Sequence, residues 1–189
     1  QGWSPATSTN YSFRDPSLPN KIWVSASGID KGEFEPKDFL AVNLEGKPYG
    51  VNEKRKPSAE TLLHTFLYDS LKNINAVVHT HSIAATVLSK LFPKEINLEQ
   101  YELQKAFTGL LTHEQSHKIP VFENKQDMNE LVSEIRAWLQ EGNHFSIPVF
   151  VIKQHGTYVW GDSIRAAKRH LEAIEFLFEC ELKFLSSKA

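Results

Sequence analysis

The apolar positions change period several times along the chain, and each change marks an element. Asn10 to Arg14 alternates apolar with polar, which predicts a short half-buried strand, and Lys21 to Ser25 is a second strand candidate. Phe39 to Leu44 predicts a third strand, opened by Pro36-Lys37-Asp38 and closed by the tight turn Glu45-Gly46-Lys47. After a charged loop over 52–57, Leu62, Leu63, Phe66, Leu67 and Leu71 recur at helical spacing. They predict a helix over Ala59 to Leu71 with Ser58 as its N-cap. Ala76-Val77-Val78 begins a strand that runs into His79-Thr80-His81, and Ala84 to Leu91 reads as a helix stopped before Pro93. Leu98 to Leu110 fits no single period and is read as helical through Leu103 to Phe107. Ile119 to Phe122 reads as a strand at a sheet edge, because Pro120 cannot donate to a ladder. Met128, Leu131, Val132, Ile135 and Leu139 form one helical stripe over Asp127 to Leu139. Pro148 to Ile152 and Gly156 to Gly161 are two strands joined by a short turn, and Ser163 to Leu185 is one long amphipathic helix.

Short strands with tight turns, mixed with long helices, predict an α/β layered fold around a largely antiparallel sheet. With 189 residues and no linker, repeat or low-complexity segment, the expected organisation is one domain over 1–189. A net charge of -2 leaves no basic excess to neutralise phosphates, so a nucleic-acid partner is not expected. No apolar run approaches the ~20 residues of a membrane span. The single cysteine, Cys180, excludes an internal disulfide and fits a reducing, cytoplasmic setting; its apolar helical surroundings predict a buried structural thiol. The chain opens at Gln1 without a Met or a signal-peptide pattern.

The candidate chemistry sits at two strand ends. Residues i and i+2 of a strand share a face, so His79 and His81 project side by side. Neutral imidazoles are good zinc ligands, and a catalytic zinc site takes three protein ligands and keeps a position open. Two histidines alone could equally be polar residues closing a strand. His155, at the end of a second strand and before Gly156, supplies the third ligand and favours the metal site. His113 and His117 are four apart and would share a helix face, but their polar surroundings read as an exposed loop. His64, His144 and His170 are assigned structural or solvated roles.

Glu60 falls in the first turn of its helix, where the dipole favours a carboxylate whether or not it has a function. Spacing does not distinguish Glu102 from Glu99, and both read as a solvated helix face. Three small-polar loops remain: Thr7-Ser8-Thr9-Asn10, Ser25-Ala26-Ser27-Gly28 and Lys56-Pro57-Ser58-Ala59. If they converged, their hydroxyls and amides would cradle a phosphate, with the helix start at Ser58 as an anion site.

Taken together, Gly2 to Asn10, Ser25 to Gly28, Pro57-Ser58-Ala59-Glu60-Thr61, His79-Thr80-His81-Ser82 and His155-Gly156 occur in an order that resembles the class II aldolase/adducin family. Within it, Leu98 to Phe107 and Tyr158-Val159-Trp160-Gly161 resemble members that dehydrate a methylthio ketose 1-phosphate in methionine salvage. The resemblance implies a three-layer α/β/α sandwich and a homotetramer with sites at subunit interfaces. It implies one zinc on His79, His81 and His155, and Glu102 as catalytic acid/base. It implies Glu60 as ligand or base, and Asn10, Ser27, Gly28, Lys56 and Ser58 around the phosphate of a sugar-phosphate substrate. It also implies a further helix before Gln1. Thr9 stands where the family usually has glycine, and its Cβ is expected to tighten the loop. A zinc aldolase or epimerase acting on another sugar phosphate, and a non-catalytic adducin-like module, share the same outline.

Overall fold

The computed structural model describes residues 1–49 and 55–188, so positions 52–54 of the expected charged loop lie outside it. In chain order it contains β1 (Asn10–Arg14), β2 (Ile22–Ser25), β3 (Phe39–Val42), α1 (Thr61–Ser70), β4 (Ala76–Thr80), α2 (Ile83–Leu91) and β5 (Glu95–Leu98). A short 3-10 turn, Glu102–Ala106, precedes β6 (His117–Phe122), α3 (Met128–Gln140), β7 (Val149–Ile152), β8 (Gly156–Gly161) and α4 (Ile164–Ser186). The eight strands form one sheet in the order β3-β2-β1-β4-β8-β7-β6-β5. Of its strand pairs only β6 and β7 run parallel, which agrees with the largely antiparallel sheet expected.

Strand alternation sorts the core into two clusters, one on each face. Val149, Val151 and Val159 pack with Leu88 of α2 and Ile174, Leu177 and Phe178 of α4. Phe150, Ile152, Tyr158 and Trp160 point the other way, to Leu63 and Leu67 of α1 and Leu131 and Ile135 of α3. With helices on both faces, a central strand can be apolar at every position; all of β7 and β8 is buried. The result is the three-layer α/β/α sandwich.

Four expectations change. β3 ends at Val42, because Asn43 to Lys47 already forms the turn. β6 is second from the edge, and the edge strand is β5, pairing Ile96 with Ile119. Pro120 is tolerated because the parallel ladder to β7 begins only at Val121. Leu98 ends β5 instead of opening a helix, and the helical turn after it is 3-10 and starts at Glu102. Cys180 is half-buried on α4, not enclosed.

Candidate metal centre

β4 runs between β1 and β8, and its end delivers His79 to a point where the chain has no freedom left. The ring is fully buried and stacks on Tyr158, with centroids 4.2 Å apart. His79 Nδ1 donates to the Thr157 carbonyl at 3.0 Å, so Nε2 presents a lone pair. That nitrogen lies 2.8 Å from His81 Nε2 and 3.4 Å from His155 Nε2. The three ligand atoms lie within 4.8 Å of one another. Tetrahedral ligands at about 2.0–2.1 Å from zinc sit roughly 3.3 Å apart, so the set is of the right size. Burial lowers His79 to about 3, reinforced by His155 and His81 against the opposing Glu60. Burial, then His155, lowers His81 to about 4. Both imidazoles are therefore neutral at neutral pH, the form that binds a metal.

His155 reaches the cluster because β7 turns into β8 through it. A Cβ on Gly156 would run into the Thr80 carbonyl oxygen, so glycine is required for the strands to approach this closely.

Glu60 joins the histidines from α1. Its Oε2 lies 3.3 Å from His79 Nε2 and its Oε1 lies 3.2 Å from His155 Nε2. Tyr158 donates its hydroxyl to Oε2 at 2.6 Å, and Asn10 donates its amide at 2.7 Å. Burial would raise this carboxyl, but His79, Tyr158, His155 and Asn10 together hold it down to about 2. An ionised carboxylate thus faces neutral imidazoles whose nitrogens point at one another. A cation between them resolves that arrangement, and the donor set fits one. Glu60 occupies the N-cap position of α1 without capping it, since its side chain is turned to the histidines. Ser58 is therefore not the N-cap. It forms the preceding turn, its carbonyl accepting the Thr61 N–H at 3.1 Å.

A polar chain supports Glu60 from below. Tyr68 donates to Ser12 Oγ at 3.0 Å, and Ser12 donates to His64 Nδ1 at 2.7 Å. His64 Nε2 then donates to Asn10, whose amide holds Glu60. His64 is fully buried and lowered to about 4 by burial, so it works as a neutral relay and not as a solvated residue. Sequence reading missed it, although one helical turn separates it from Glu60 on a shared face. Tyr158 was missed too, because nothing in an apolar strand marks one tyrosine as polar.

The three small-polar loops do converge. Ala26 bridges Pro57, and the Ser58 N–H bonds the Ser25 carbonyl at 3.2 Å. Beside His81 and His155 they enclose a cavity of about 180 Å³, lined by Asn10, Ser27, Gly28 and Ser58. Its cation is Lys31, which sequence reading did not single out; the exposed Lys56 does not line it and contributes a carbonyl that accepts the Ser27 N–H at 2.9 Å. Thr9 adopts a φ of 76°, the left-handed region that glycine enters freely. Its hydroxyl donates to Ser4 Oγ at 3.1 Å and lies 3.1 Å from the Tyr11 hydroxyl, which offsets the strain.

Glu102 is elsewhere. It lies on the exposed 3-10 turn, paired with Lys105 and, at 3.1 Å, with His113, and it does not line the cavity at the histidines. His113 and His117 do not form a pair. His117 is the buried first residue of β6, with no partner for either ring nitrogen, and is not in an exposed loop. His170 is buried, accepting from the Thr108 N–H at 3.0 Å and donating to the Trp160 carbonyl at 2.8 Å. His144 is exposed.

The sequence profile described as class II aldolase and adducin N-terminal domain matches residues 1–182. A methylthioribulose-1-phosphate dehydratase of a Picosynechococcus species is 46% identical over 187 residues, covering 98% of this chain and 86% of the relative. One of Pseudomonas fluorescens is 48% identical over 184 residues, covering 97% and 86%. One of Pseudomonas aeruginosa is 48% identical over 187 residues, covering 98% and 88%. Among solved structures, an L-fuculose 1-phosphate aldolase aligns with a TM-score of 0.75 at 20% identity, covering 97% of this chain and 80% of that one. The corresponding aldolase of Thermus thermophilus gives 0.73 at 23%, covering 100% and 90%. At such identities the two structures speak to the fold alone.

Proposed function

The chain belongs to the class II aldolase and adducin family, and from that premise we propose that it is a zinc-dependent hydro-lyase of methionine salvage. Its substrate is 5-methylthioribulose 1-phosphate and its product 2,3-diketo-5-methylthiopentyl 1-phosphate. The observation that carries the reading is the convergence of His79, His81 and His155 in a chain about half identical, over nearly its whole length, to dehydratases of that name.

His79, His81 and His155 would hold the metal, and three imidazoles with a carboxylate suit zinc. Zinc bound there would supply Lewis acidity to the ketose oxygens and so make the C3 proton easier to remove. Glu60, ionised and oriented by Tyr158 and Asn10, stands beside the histidines as a further metal ligand or as the base for that proton. Ser27, Gly28, Ser58 and Lys31 bind the phosphate and keep the reacting carbons in place. Glu102 protonates the departing C4 hydroxyl, which leaves as water, and the resulting enol tautomerises to the diketone. In a lone chain Lys105 holds the exposed Glu102 carboxyl below its ordinary range, which is wrong for an acid. Seating the 3-10 turn in a neighbouring copy's site corrects this by burial. Leu103 in the turn, 38% exposed, and Leu111 after it, 91% exposed, gain cover in the same step. A homotetramer with shared sites, working in the cytoplasm, is the assembly this requires. The described residues include no helix long and apolar enough to cross a membrane.

The test is turnover of authentic 5-methylthioribulose 1-phosphate by zinc-loaded protein, with product identified by mass. Loss of one water, abolished by a chelator and restored by zinc, is expected. Cleavage of a sugar phosphate between carbons, with the methylthio substrate untouched, would make the protein an aldolase instead.

A further inference from the structure

Glu175 is the one fully buried carboxylate of α4, set in an apolar face between Ile174 and Phe178. It forms no ion pair among the described residues. Its one well-formed hydrogen bond is from Thr80 Oγ1 to Oε1 at 3.0 Å. The hydroxyls of Ser82 and Thr157 also face it. Two buried atoms here have no partner, Glu175 Oε2 and Thr157 Oγ1. Leaving both unsatisfied is costly, and a hydrogen bond between the Glu175 carboxyl and the Thr157 hydroxyl, with either one donating, satisfies both at once.

The residues that meet at this carboxyl bracket the metal centre. Thr80 lies between His79 and His81, on the opposite face of β4, and Ser82 follows His81 and caps α2 by accepting the Ala85 N–H at 3.0 Å. Thr157 is two residues past His155, and its carbonyl fixes the His79 ring. Strand alternation explains the arrangement, because neighbours of ligands that point to α1 must point to α4.

We propose that Glu175 is a positioning residue for the metal centre, a buried carboxyl that ties Thr80, Ser82 and Thr157 together from beneath and so holds the three histidines in register. Burial pushes this carboxyl up and Glu179 one turn away adds to that, while the three hydroxyls oppose it. Hydrogen bonds behind metal ligands typically change metal affinity by about 10–100-fold.

The inference rests on the metal reading above, and zinc affinity tests the two separately. Zinc dissociation constants are measured by chelator competition for the parent, Glu175→Gln and Glu175→Ala, with the cobalt absorption spectrum as a record of ligand geometry. Glutamine keeps the side chain's size and can accept from Thr80 while donating to Thr157. Glu175→Gln is expected to stay within about threefold of the parent and keep its spectrum, while Glu175→Ala weakens zinc by about 10–100-fold and alters the spectrum. Should Glu175→Ala not fold, Thr157→Val, which removes one hydroxyl at constant shape, is expected to weaken zinc by at least about threefold. A parent that takes up no zinc overturns the metal reading and this inference with it. If the parent binds, equal affinity in Glu175→Ala (or in Thr157→Val where that stands in for it) overturns the inference alone, as does a Glu175→Gln as weak as Glu175→Ala.

Discussion

The histidine cluster and the Glu102 turn are assigned to one reaction, yet they are built in opposite ways. The cluster lies at the ends of central strands, and its central ring, His79, is fixed by burial, by stacking on Tyr158 and by a carbonyl bond. Behind Glu60 a buried chain of four polar side chains, from Tyr68 to Asn10, holds the carboxylate in place. Glu102 has none of this: a short turn, solvent, one lysine and one histidine. A metal site must be rigid before its ion arrives, whereas a proton donor can be completed by a surface that closes over it. Under the proposed reaction, a single chain would carry a finished metal pole and an unfinished acid.

Breaking the finished pole should cost most. His81→Ala removes a ligand and should empty the site, lowering turnover by about 10⁴-fold or more, with metal per chain read by elemental analysis. Breaking the acid should cost less and spare the metal. Glu102→Gln keeps size and hydrogen bonding but cannot pass a proton, and turnover should fall by about 10²–10⁴-fold at unchanged zinc content. Loss of zinc in that variant would move Glu102 into the metal pole. Lys31→Met touches neither pole: KM for the phosphorylated substrate should rise by about tenfold or more, with kcat changed less. An unchanged KM would return the phosphate to Lys56.

A smaller effect reads the support beneath the metal pole. His64 is held at about 4 in the folded chain, against about 6.5 when unfolded. Between those values the unfolded chain binds the extra proton, so stability is complete above pH 6.5 and is lost as pH falls towards 4. The loss reaches about 3 kcal/mol at 1.36 kcal/mol per unit. Metal-free protein should show it within a falling melting temperature to which His79 and His81, lowered over the same window, also contribute, and His64→Phe should make the slope shallower without removing it. An unchanged slope would leave the titration to His79 and His81.

The same contrast explains what could be read from the sequence. His79 and His81 were legible because strand period two fixes their faces, and His155 because a glycine that permits close approach follows it. The strands of the centre were legible because both faces are covered and the runs are apolar. β5 was not, because Glu95-Ile96-Asn97-Leu98 is four residues long and its pairing depends on β6, far along the chain. His117 looked exposed because its neighbours are polar, yet it is the first residue of a buried strand. Lys31 and His64 matter through where loops and helices meet, which no local period encodes.

The claim that the acid comes from another copy is tested most directly by mixing two inactive proteins. His81→Ala supplies Glu102 without a metal site, and Glu102→Gln supplies a metal site without the acid. After subunit exchange in equal amounts, about a quarter of the sites should pair an intact triad with an intact neighbouring Glu102. Recovery of about a quarter of parental turnover, absent before exchange, is the predicted result. No recovery in assemblies shown by mass to be mixed would place both poles in the same chain and contradict the account.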